Sequence, residues 1–188
     1  MKITKRWLED KGTCPDGIAW FTAQTETDGG AIVRKLMAEY PKNGNGLTWA
    51  NWLIVRILPR KKMIRYAIFA AEQVIEIFEA EYPDDKRPRE AIEAAKAVLK
   101  RNTAKNRAAA YAAAEAAADA AADAADAAAE AAAYAAEAAA YVTAYAVAYA
   151  ARAAAEAAAY ATAYATAYAA RALKEKIIRY GLLLLEVK

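Results

Sequence analysis

Histidine is absent from this chain, and cysteine occurs once, at Cys14. The first absence removes the commonest general base and the commonest zinc ligand. The second excludes a disulfide within the chain. With no imidazole to activate its thiol, Cys14 beside Pro15 reads as a small core residue rather than a nucleophile. Glycine and proline are scarce, at 7 and 5 of 188 residues, and from Ala108 to Ala172 there is neither. No segment alternates polar and apolar residues between turn signals, so no strand is expected. No run makes a membrane span: the one tract that is long enough is interrupted by seven acids. Met1–Asp10 is charged and lacks the apolar centre of a secretion signal. The expected location is the cytoplasm, or the host cytoplasm for a phage-encoded chain.

What the chain has in excess is alanine. From Ala108 to Ala172 it is joined almost only by Tyr, Glu, Asp, Thr, Val and two Arg. Alanine loses no side-chain entropy in a helix and leaves the backbone unobstructed, so the tract is helical. It repeats internally: residues 137–152 and 156–171 match at 14 of 16 positions with an offset of 19. As one straight helix it would run roughly 98 Å. A folded-back hairpin that buries the alanine face is the preferred arrangement, with a bend near Asp119–Asp126 or Ala153–Ala155. Small side chains let helix backbones approach closely, a rule best documented in membranes whose steric basis holds in water.

Alanine offers little area to bury, whereas a fully buried Leu or Phe contributes roughly 1.5–3 kcal/mol. The core must therefore come from the Trp, Ile, Leu, Phe and Tyr of residues 3–99 and 173–187. Three regions follow: a mixed-composition helical domain over 1–107, the alanine/tyrosine-rich hairpin over 108–172, and an amphipathic helix over 173–188 that packs back on the bundle. Their net charges are +6, −5 and +2. That basic excess is too thin for nucleic acid, which calls for a denser stripe. The fold class is all-α, a multi-helix bundle with a long alanine-rich helical hairpin.

The front of the chain punctuates itself. Thr4 can cap a short helix that carries Trp7 and Leu8 and stops at Gly12. Cys14–Gly17 reads as a turn, with Asp16 able to cap Ile18–Thr25. Asp28-Gly29-Gly30 breaks the chain before Ala31–Tyr40, where Ile32, Val33, Leu36, Met37 and Tyr40 fall at helical spacing. Residues 41–46 form a loop and Thr48 caps Trp49–Leu58, a deeply buried helix ended by Pro59. Asn51, Trp52 and Arg56 form its polar edge. Lys61–Tyr82 reads as one long amphipathic helix. Residues 83–88 turn, with Asp85 as N-cap of a helix over Arg89–Arg101. Asn102–Asn106 is a joint, and Gly181 kinks the last helix.

Four groups of residues are candidates for function. Tyr141, Tyr145, Tyr149, Tyr160, Tyr164 and Tyr168 make a ladder at four-residue spacing. Tyrosine joins apolar area to a hydroxyl and is enriched at interfaces, so the ladder is a candidate partner surface; the plain alternative is that its rings cover the bundle. Asp84, Asp85, Arg87 and Arg89 form a charged turn able to recognise a carboxylate through arginine, or simply to cap a helix with weak local ion pairs. The acids Glu115, Asp119, Asp123, Asp126, Glu130 and Glu137 read as a solvated face, because no His or Asn supports a metal site. Thr143, Thr162 and Thr166 lack the regular array of an ice-binding face. No metal or other cofactor is expected, and an enzyme would have to work with carboxylates and arginine alone.

Two stretches resemble known families. The run Tyr66–Lys96, most specifically FE, YPDD and RPREAIEA between Phe78 and Ala94, resembles the putative immunity protein family associated with bacterial polymorphic toxin systems. The alanine tract resembles that family's C-terminal half, with Tyr at ladder positions where the family has His, a departure that removes any role owed to imidazole. The opening MKITKRWLEDKGTCPDGIAWF, with Asn51-Trp52-Leu53, is similar to a module of uncharacterised phage and bacterial proteins. The resemblance implies a non-enzymatic inhibitor, an immunity or phage anti-defence protein, that binds a toxin or host defence component stoichiometrically through a helix face. The alternative is a structural or assembly protein whose alanine helices pack between subunits of a homo-oligomer.

Overall fold

The computed structural model describes residues 1–43, 45–124 and 167–187. Thr4 caps α1 (Lys5–Asp10) as expected, its hydroxyl oxygen accepting the Trp7 N–H at 3.2 Å, which satisfies one of the donors left open at a helix start. The chain leaves through Gly12, whose φ of 68° lies in the left-handed region. Helix α2 (Pro15–Thr22) begins earlier than expected, so residues 14–17 form its entry rather than a separate turn, and Asp16 lies in the first turn instead of capping. Proline suits the first helical position because the N–H it lacks has no helical partner there.

Helix α3 (Gly29–Asn43) likewise starts at the expected break. Asp28 Oδ1 accepts the Ala31 N–H at 3.0 Å, so the Asp-Gly-Gly signal is a helix start. The helix continues to Asn43, where a loop was expected. Helix α4 (Gly46–Ile57) has Asn45 at its N-cap and Thr48 inside it. It ends before Pro59, with Leu58 extended as the residue before a proline prefers.

The single helix expected over Lys61–Tyr82 is two, α5 (Arg60–Glu72) and α6 (Ile75–Glu81). Gln73 folds its side-chain amide back onto the Phe69 carbonyl at 3.1 Å, and Val74 leaves helical geometry at φ −124°. The break lets Val74, Ile75 and Phe78 all become buried, so tertiary packing overrides helical periodicity here. Helix α7 (Arg87–Lys100) has Lys86 at its N-cap rather than Asp85, which sits one residue earlier and accepts the Arg87 N–H at 3.0 Å.

Thr103 Oγ1 accepts the Asn106 N–H at the start of α8 (Ala104–Ala124), and the Asn106 amide donates to the carbonyls of Ala97 and Arg101. The expected joint is thus a hydrogen-bonded corner. Helix α9 (Ala167–Glu186) passes through Gly181 unbroken, in place of the expected kink. A Cβ there would lie 2.7 Å from both Ile54 Cδ1 and Tyr66 Cε2, so this glycine serves close packing.

The core forms where α9 lies against α3, α4 and α5, and α7 lies between α5 and α8. Helices α5 and α9 run antiparallel: Lys62 Nζ donates to the Val187 carbonyl, and Phe69 stacks on Tyr180 at 4.1 Å. Ile54, Val55, Tyr66, Phe78, Ile92 and Ile177 are buried in one apolar cluster. Alanines of α7 and α8 join it: Ala91, Ala95, Ala110, Ala114 and Ala117 are all buried. Among the described residues the regular structure is helical, with one isolated bridge between Lys2 and Asp28. Among the described residues no helix is long and apolar enough to cross a membrane.

Tyr141, Tyr145, Tyr149, Tyr160 and Tyr164 lie outside the described residues, as do Thr143, Thr162, Thr166, Asp126, Glu130, Glu137 and the 153–155 bend. Tyr168 falls within α9. Helix α8 is continuous to Ala124, so no bend occurs between Asp119 and Ala124.

Candidate functional site

The turn between α6 and α7 organises the charges singled out in the sequence. Arg87 reaches back two residues onto Asp85, with Nη2–Oδ2 at 2.7 Å and Nε–Oδ1 at 3.0 Å. Arg89, two residues on, grips Glu79 of α6, with Nε–Oε1 at 2.7 Å and Nη2–Oε2 at 2.5 Å. Such two-point pairs combine charge with the planar fork of arginine. Hydrogen bonding from Arg87 holds the Asp85 carboxyl below its ordinary range, and that from Arg89 does the same for Glu79. The Arg89 guanidinium is pushed up by Glu79 in return. Asp84 is exposed on the same turn.

Both arginine forks therefore already hold a carboxylate of their own chain, and the four sequence candidates divide into an Asp85–Arg87 pair, an Arg89 paired elsewhere and a solvated Asp84. Glu79 is the member that sequence reading missed. Its signal is only its place on the helix before the turn, ten residues ahead of Arg89. Farther along α7, Lys96 bridges Glu72 of α5 at 2.8 Å and Glu93 at 2.7 Å. Burial only partly opposes these pairings: the hydrogen bonds to Glu72 and Glu93 raise the Lys96 ammonium. The result is a charged seam that fastens α7 to α5 and α6.

A second cluster gathers tryptophans from the front of the chain. Arg56 lies over the Trp52 ring at 3.8 Å, a cation–π arrangement. Burial pushes its guanidinium down to about 10, which leaves it cationic at neutral pH. Trp7 meets Trp52 edge-on with centroids 6.4 Å apart, and Trp20 lies 6.4 Å from Trp49. The Trp20 indole N–H donates to Glu39 Oε2 at 2.8 Å. Asn51 is not part of a solvent edge: it is buried and its Oδ1 accepts the Tyr66 hydroxyl at 2.5 Å.

Between α1, α2, α3 and α4 lies a cavity of about 210 Å³, walled chiefly by Trp20, Phe21, Leu36, Trp49 and Trp52, with Thr13 and Cys14 also at its surface. Cys14 is exposed rather than in the core. No sequence pattern marked this space, because its lining comes from four separate helices. Among the described residues no cluster of three acids or cysteines is placed to hold a metal ion.

Against known proteins, the family model described as Imm-5 like putative immunity protein matches residues 54–180, more than half of the chain. No curated protein and no solved structure matches it.

Proposed function

From the premise that this chain belongs to the Imm-5 like putative immunity protein family, we propose that it is a non-enzymatic inhibitor that holds a toxin by stoichiometric binding of a helix face. The family suggests an immunity-type inhibitor with a protein partner. The reach of the family match carries the reading: residues 54–180 take in α5, α6, α7, α8, the charged turn and the whole alanine tract.

The footprint we assign is the tyrosine ladder, Tyr141, Tyr145, Tyr149, Tyr160, Tyr164 and Tyr168, together with Asp84, Asp85, Arg87 and Arg89. Tyrosine and arginine are the residues most enriched among strong interface contacts. Two arginines fixed by carboxylates are already ordered, so less side-chain entropy is lost when a partner docks on them. A phage-encoded chain would hold a host defence protein by the same means.

Growth of cells expressing the cognate toxin tests this, with the chain supplied as wild type, as Y145A/Y149A/Y164A or as R87A/R89A. Protection by the wild type, a one-to-one complex by light scattering and loss of both in the tyrosine variant are expected. A folded wild-type chain that neither protects nor binds the toxin, and that assembles only with itself, would instead support packing of alanine helices between subunits.

A further inference from the structure

Two of the exposed large apolar side chains among the described residues share one face of α9. Leu183 is 58% exposed, and Val187, just past the helix end, is 62% exposed. The Val187 N–H still donates to the Leu183 carbonyl at 3.2 Å, which continues the helical turn and keeps both side chains on one side. Lys176 and Arg179, seven and four residues before Leu183, are exposed on that side too. Arg179 reaches Glu175 only at 3.9 Å, and Lys176 has no ion pair among the described residues. On α5, the register that sets Phe69 on Tyr180 and Lys62 on Val187 places exposed Arg65 along the same edge. The face is an apolar stripe in a basic frame.

A single exposed leucine is ordinary on a protein surface, whereas apolar residues gathered on one face mark a contact. The complement of this face lies on α8. Tyr111, 40% exposed, stands on its outer side, followed at four-residue spacing by Glu115 and Asp119. Both acids are exposed and neither makes an ion pair among the described residues. Within one chain the two faces stay apart. Helix α7 separates α8 from α5, α9 packs on α3, α4 and α5, and each face is open to solvent.

We propose that two copies of this chain pair through these faces. Leu183 and Val187 of one copy dock on the outer side of α8 in the other, with Lys176 and Arg179 opposite Glu115 and Asp119. A two-fold axis makes the exchange reciprocal, so one dimer holds the contact twice. Opposite charge decides which face meets which, and the apolar area covered supplies the attraction. The chain itself carries the acidic complement to its basic face, so the pairing needs no second protein and stands apart from the toxin reading.

Sedimentation equilibrium of the full chain alone tests the proposal. The wild type is expected to be a reversible dimer that added salt weakens. E115K/D119K and K176E/R179E each set like charges against each other, and each should weaken self-association by at least about tenfold. Mixed together, the two variants should pair again, because the basic α8 of one then meets the acidic α9 of the other in both contacts. Circular dichroism checks that each keeps its helices. Should K176E/R179E not fold, Leu183→Glu, at a position open to water, sets an acid against the α8 acids and should weaken association in the same way. A wild type that stays monomeric at every concentration, self-association unchanged by these variants, or a mixture of folded variants that does not pair would each overturn the assignment, while toxin binding by such a chain would leave the immunity reading standing.

Discussion

Gly181 of α9 faces Tyr66 of α5 so closely that a Cβ on the glycine would lie 2.7 Å from the ring carbon Cε2. Tyr66 cannot step aside, because it is fully buried and its hydroxyl is held by Asn51. In an open helix Gly→Ala would add about 1 kcal/mol of stability. Here overpacking, which costs about 1–3 kcal/mol, acts against a rigid ring and dominates. Gly181→Ala is therefore expected to lower unfolding free energy by about 1–2 kcal/mol in urea melts. A more stable variant would mean that α9 has room to shift away from α5.

The hydroxyl of Tyr66 makes a second, separable contribution. Burial pushes its pKa far above the ordinary tyrosine value, so it stays a neutral donor to Asn51. Tyr66→Phe removes that donor from a buried amide oxygen, and about 1–2 kcal/mol should be lost. Replacing both partners, Y66F with N51L, should cost less than the sum of the single changes, since no polar group then stays buried for lack of the other. Strict additivity in a double-mutant cycle would show that the two groups do not act on each other.

Residues that act on their sequence neighbours were legible. The Thr4 cap, the stop at Gly12, the end of α4 at Pro59 and the joint at Asn106 all depend on groups within a few positions. What was not legible depends on contacts between distant segments. Gly181 looked like a kink because nothing beside it in sequence shows Tyr66 and Ile54 closing over it. The helix over Lys61–Tyr82 broke because burying Val74 with Ile75 outweighed its own period. At the charged turn the sequence supplied Asp85 and Arg87 but not Glu79, whose partnership with Arg89 exists only once α6 and α7 meet. The cavity is the extreme case, a space that belongs to no single segment.

Alanine at the contact of α7 and α8 sets how near the helices lie. Ala110, Ala114 and Ala117 recur at helical spacing and are buried, while Ala112 on the same helix is exposed. Ala114→Leu forces three further carbons into that contact, and is expected to cost about 1–3 kcal/mol. Ala112→Leu should leave stability within about 0.5 kcal/mol of wild type. Thermal melts of the two variants make the comparison. Equal melting temperatures would mean that α8 is not held against α7 by this face.

The Glu79–Arg89 pair makes stability depend on acid in a defined direction. Its carboxyl is held below the ordinary value in the folded chain, chiefly by the Arg89 hydrogen bonds. The folded state thus binds its proton less readily than the unfolded state does. The resulting stabilisation is complete above the ordinary glutamate pKa and disappears as pH falls through the lower folded value. Arg89 is 38% exposed, so solvent screening keeps the pair to about 0.2–1 kcal/mol. Glu79→Gln should therefore be less stable than wild type at pH 7, by a gap that narrows as pH falls towards 3, and added salt should narrow the gap at pH 7. Denaturant melts at both pH values read this directly. A deficit that persisted unchanged at pH 3 would place its origin in packing, because protonated Glu79 has no more charge to give Arg89 than glutamine has.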